Sequence, residues 1–112
     1  MSDDKNTIGL TPGNRRVMED IMDYFDEQMD AARFAMSLAI KSDEEPGQIE
    51  NAETVWNVGS FDPDGEIRDL INALFPEAES PYRAVEYFIN VGLQRIDDHL
   101  KENKDVDIVE LV

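Results

Sequence analysis

The chain has 112 residues, 41% of them hydrophobic, which suits one folded domain and is too many for a disordered chain. Twenty-six acidic residues against ten basic ones leave a formal charge of -16, so the surface repels nucleic-acid phosphate and anionic lipid at long range. There is no cysteine, which excludes disulfides, thiolate metal sites and a cysteine nucleophile.

Met1-Ser2-Asp3-Asp4-Lys5 has no apolar stretch behind it that could act as a signal peptide. No run approaches the roughly 20 apolar residues that span a bilayer. The expectation is a cytoplasmic domain without membrane contact. Lysine is scarce (Lys5, Lys41, Lys101 and Lys104) and aspartate abundant, as in proteins adapted to high salt. A binder of basic partners, or a DNA mimic, is the competing explanation of the same charge.

In chain order, residues 1–6 read as a flexible lead and Thr7-Ile8-Gly9-Leu10 as a short extended segment able to act as an edge strand. Thr11 is a candidate N-cap, and Pro12 sits where a first helical residue tolerates a missing N–H. The first helix is expected over residues 12 to 24 or 25, with Met18, Ile21, Met22 and Phe25 on one face. Arg15 and Arg16 occupy its first turn, where a cation opposes the helix dipole. A break at Asp26-Glu27-Gln28, with Asp26 or Asp30 as cap, precedes a second helix over residues 29–41. Its alanines 31, 32, 35 and 39 permit close helix packing, which places it at the centre of the fold.

Residues 42–53, with Pro46-Gly47, read as an exposed acidic loop, and residues 54–58 as a short strand or extended segment. Trp56, the single tryptophan, reads as a core or lid residue in preference to a ligand-stacking one. Asp62-Pro63-Asp64-Gly65-Glu66 forms a turn into a third helix whose apolar face is Ile67, Leu70, Ile71, Leu74 and Phe75, stopped by Pro76. Ser80-Pro81 opens a fourth helix of about 20 residues, with Val85, Phe88, Ile89, Gly92, Leu93, Ile96 and Leu100 on its buried face. Gly92 inside a helix costs about 1 kcal/mol against alanine, so a close backbone contact is expected there. Residues 102–112 read as a flexible or arm-like tail, apolar again from Val106. The fold class expected is all-α: one domain over 1–112, about four helices in two helical hairpins, with one or two short extended segments.

Catalytic signals are weak. His99 is the single histidine and lies near the end of the last helix with no nucleophilic serine motif. A calcium loop with Gly65 in its sixth place would begin at Ser60 and need a glutamate where Ile71 stands. No Glu-x-x-His pair or glycine-rich phosphate loop occurs. The expectation is therefore no enzyme, no metal and no cofactor. Arg15, Arg16, Arg33 and Arg83 are the candidate contacts to a partner or to phosphate. Pairing of each with a neighbouring carboxylate is the plainer alternative.

Two segments carry a family resemblance. Phe25-Asp26-Glu27-Gln28-Met29-Asp30-Ala31-Ala32-Arg33-Phe34-Ala35-Met36-Ser37-Leu38-Ala39-Ile40 resembles the first helical hairpin of small accessory proteins associated with Dnd-type DNA phosphorothioation gene clusters. Tyr87-Phe88-Ile89-Asn90-Val91-Gly92-Leu93-Gln94-Arg95-Ile96 is similar to their closing helix, where an aromatic precedes a Gly-Leu pair. The resemblance implies a shared fold and a setting in DNA modification and phage defence. The function expected is a non-enzymatic protein–protein interaction or accessory module, with a homodimer as one form. The alternative is a small DNA-binding transcriptional regulator using Arg15, Arg16 and Arg33, direct nucleic-acid contact being left open by the acidic body.

Overall fold

The structure, a computed structural model, describes residues 6–103. Strand β1 (Thr7–Leu10) leads into helix α1 (Pro12–Ile21), which tightens into one 3-10 turn at Met22–Tyr24. Helix α2 (Gln28–Lys41) follows, then an irregular connection over residues 42–52, strand β2 (Glu53–Asn57) and the single-turn helix α3 (Val58–Phe61). Helices α4 (Glu66–Leu74) and α5 (Pro81–Asn103) complete the order. The tail proposed as an arm lies outside the described residues, except that α5 continues through its first two positions.

The molecule is mostly helical, yet the all-α expectation needs correcting. The two extended segments pair as an antiparallel sheet, and among the described residues α3 adds a fifth helix, beginning at residue 58, which the sequence pattern assigns to the extended segment. Thr7 faces Asn57 and Ile8 faces Trp56, but Gly9 faces Thr54, so Val55 is the extra residue of a bulge. Two strands alone are marginal in water; here α5 completes them. Glu86 and Asn90, one turn apart on α5 and both buried, reach the edge of β1 that faces away from β2. The Gly9 amide donates to Glu86 Oε2 at 2.9 Å. Asn90 Nδ2 donates to Gly9 O at 3.1 Å, and its Oδ1 accepts from the Thr11 amide at 3.1 Å. Asn14 Nδ2 adds bonds to Asn90 Oδ1 and O, at 2.9 and 3.1 Å, which ties α1 to the same point.

The most extensive helix contact is α2 against α5. The expected close approach at Gly92 is present: a Cβ there would lie 1.9 Å from the Ala35 carbonyl oxygen. The alanines of α2 and the glycine of α5 let the two backbones meet, and Ile89, Leu93, Ile96, Val17, Met18 and Ile21 fill the space around them. Trp56 is buried with its ring centroid 5.4 Å from that of Phe61, a core position.

Caps agree with expectation in part. Thr11 caps α1 by accepting the Asn14 amide at 3.2 Å. For α2 the N-cap is Glu27, without a side-chain bond, in place of Asp26 or Asp30. Asp62 fixes the start of α4: its two oxygens accept the Ile67 and Arg68 amides at 3.1 and 3.0 Å, and Tyr82 donates its hydroxyl at 2.8 Å. Burial alone would raise the carboxyl pKa. The two backbone donors, Tyr82 and the nearby Arg68 charge outweigh it and hold Asp62 below the ordinary aspartate value.

Candidate functional site

The four arginines singled out from sequence meet different segments. Arg15 forms an ion pair with Glu53 at the start of β2, 3.1 Å apart, which offsets its unfavourable place at the head of α1. Arg16 is exposed on the same turn. Arg33 on α2 donates to the Phe61 carbonyl at 3.3 Å and lies 5.9 Å from the centre of the Phe61 ring. Arg83 is half-buried at the first turn of α5, beside the connection at Pro46, Gly47 and Gln48. Arg15 therefore bridges α1 to β2 and Arg33 bridges α2 to α3, while Arg15 and Arg16 share one turn of α1 and the contacts described bring neither Arg33 nor Arg83 to them.

A different surface stands out. α4 was expected to bury one continuous apolar face, but the structure divides it. Ile71 is fully buried and Ile67 and Phe75 are half-buried, while Leu70 and Leu74 are 46% and 49% exposed. Being four residues apart, they stand side by side on the helix surface. Each end of α4 is anchored. Asp62 fastens its start to Tyr82, and the Phe75 ring stacks on Phe88 of α5, centroids 5.2 Å apart. Only the side of α4 that carries Ile71 can then turn inward.

Leu74 forms part of a groove about 500 Å³ in volume, lined also by Phe75, Pro76, Ala78 and Pro46, with Glu45 and Glu77 at its rim. Pro76 stops α4, and the Ala78 amide returns to Phe75 O at 2.9 Å, so the wall is a tight turn. The opposite wall is the acidic connection, held down by an ion pair between Glu44 and Arg95 and by Gly47. Gly47 lies so close to Tyr87 that a Cβ would come within 2.9 Å of the ring, so no larger residue fits there without moving the wall. A second depression of about 620 Å³ shares Pro46 and Ala78 and continues past Glu79 and Ser80 to Arg83.

A third hollow, about 320 Å³, lies between Arg33 and the Asp62–Ile67 turn. Its carboxylates serve as helix cap and exposed rim, and no group of three metal-capable side chains occurs among the described residues. His99 is half-buried on the last part of α5.

No protein-family model, curated protein or solved structure matches the chain. No helix among the described residues is long and apolar enough to cross a membrane.

The groove was partly visible in the sequence. Pro46-Gly47, Pro76 and the α4 stripe are each legible as local features, but nothing local tells which leucines of a stripe stay outside. Glu86 and Asn90 were missed altogether, because polar residues in mid-helix ordinarily face water.

Proposed function

We propose that the protein is a non-enzymatic binding module that engages another protein through the exposed side of α4 and the groove beside it. The observation that carries this reading is the pair Leu70 and Leu74, half-exposed, with Leu74 lining a preformed groove of mixed polar and apolar surface. Exposed apolar surface rimmed by polar residues is the mark of an interaction site, and a turn-walled groove loses little freedom on binding. The arginines support the same reading, since Arg15 and Arg33 are engaged within the fold. The setting we propose is a DNA-modification or defence system. It rests on the resemblance of residues 25–40 and 87–96 to Dnd-associated accessory proteins, whose segments here include the Ala35–Gly92 crossing.

The test is affinity capture from the native host with the wild-type chain and a Leu70→Ser/Leu74→Ser variant, checked for unchanged helicity and melting. The reading expects a protein retained by the wild type and lost by the variant. Identical retention by both would refute it. So would salt-sensitive duplex-DNA binding abolished by Arg15→Ala/Arg16→Ala, which would establish the regulator alternative.

A further inference from the structure

We infer that the occupant of the α4 groove is a cationic amphipathic segment, with apolar side chains on Leu70, Leu74 and Phe75 and Lys or Arg on the rim. This rests on the binding-module reading above and specifies the chemistry of its partner. Three observations carry it. Five of the side chains that line the groove are apolar: Leu74, Phe75, Pro76, Ala78 and Pro46. The charged side chains lining that lobe are Glu45 and Glu77, and no described cation lines it. Of the cations near it on α5, Arg95 is held by Glu44 and Arg83 lines the adjoining depression, and Glu45 stands as an exposed carboxylate on the groove itself.

Charge complementarity then separates the occupants. A second copy of this chain would bring a body of formal charge -16 against another, with acidic rim facing acidic rim. An acidic peptide meets the same repulsion. A basic segment is drawn in by the field of the whole molecule, while the apolar side chains of the groove supply the contact that selects an amphipathic stripe over a merely basic one. An amphipathic helix laid in an apolar groove uses side chains at i, i+3, i+4 and i+7, a stripe that matches the spacing of Leu70 and Leu74.

The experiment uses the full chain, isotope-labelled for NMR, and three designed helical peptides: Leu/Lys with one leucine stripe, Leu/Glu with the same stripe, and Ser/Lys with the same charge. The Leu/Lys peptide is expected to bind, with shifts concentrated at residues 45–47 and 70–78. Leu74→Ser should abolish that binding. Glu45→Gln/Glu77→Gln should weaken it roughly fivefold and flatten its salt dependence. Each variant is accepted only if its spectrum outside the groove is unchanged. Equal or better binding of the Leu/Glu peptide in the same groove overturns the cationic preference and leaves the binding-module reading standing. Shifts scattered over the acidic surface, equal for Leu/Lys and Ser/Lys and unaffected by Leu74→Ser, overturn both.

Discussion

At the residue scale, two positions govern the packing and one governs the acid response. Gly92 meets the Ala35 carbonyl with no room for a methyl group. Gly92→Ala must push α2 and α5 apart, and a loss of about 3 kcal/mol is expected from overpacking, read as a lowered denaturation midpoint. Unchanged stability would mean that the helices cross elsewhere. Asn90 uses both amide hydrogens and its oxygen inside the protein, donating to Gly9 O and Glu86 O and accepting from Thr11 and Asn14. Asn90→Ala removes the acceptor of the Thr11 amide and the side-chain donor to Gly9 O, for a loss of about 2 to 4 kcal/mol. Asp62 has a folded pKa below its unfolded one, so its contribution is present above about pH 4 and fades as pH falls through the folded value. Asp62→Asn should therefore lower the melting temperature at neutral pH and narrow its gap to the wild type in strong acid. A gap that widens in acid would contradict this sign. Gly92 could be read from sequence because a glycine in mid-helix breaks a local rule. Asn90 could not, since what satisfies it comes from residues about eighty positions away.

Among the elements, local patterns predicted the helices and missed the pairings. The Pro12 and Pro81 starts and the Pro76 stop fall where the proline signals place them, and the second helix keeps its expected span to within one residue, though Glu27 caps it in place of Asp26 or Asp30. The antiparallel match of residues 7–10 with 53–57 depends on α5 completing the far edge of β1, which no window of the sequence contains. α3 escapes notice for a different reason, its four residues being too few to show a period. α4 teaches a subtler lesson. Its apolar stripe is regular, but a helix anchored at Asp62 and Phe75 can bury only part of it. Gly47→Val, in the connection beside the groove, should push on the Tyr87 ring and shift the wall at residues 45–48. The expected result is at least a severalfold loss of Leu/Lys peptide binding with little change in the α2–α5 crossing, seen as local chemical-shift changes.

For the whole molecule, charge is the dominant fact. A formal charge of -16 spread over a Cα radius of gyration of 13.5 Å destabilises the compact state through self-repulsion, which salt screens. Raising sodium chloride from about 0.05 to about 1 M, where the screening length falls to about 3 Å, should raise the melting temperature. A flat or falling curve would show that the acidic groups are already compensated. Composition made this scale the most legible of the three. It left open where on an acidic surface an apolar opening would lie, because that depends on how α4 is tethered to its neighbours.

The side chains of Glu86 and Asn90 on the edge of β1 also set an order of events. Residues 9 and 11 find these partners only after a span of 77 to 81 residues has been made and folded into α5. During synthesis β1 must wait until α5 has been made, and during refolding it closes a loop of that length. Pulse-labelled hydrogen exchange should find the amides of Gly9 and Thr11 protected after those of the α2–α5 pair.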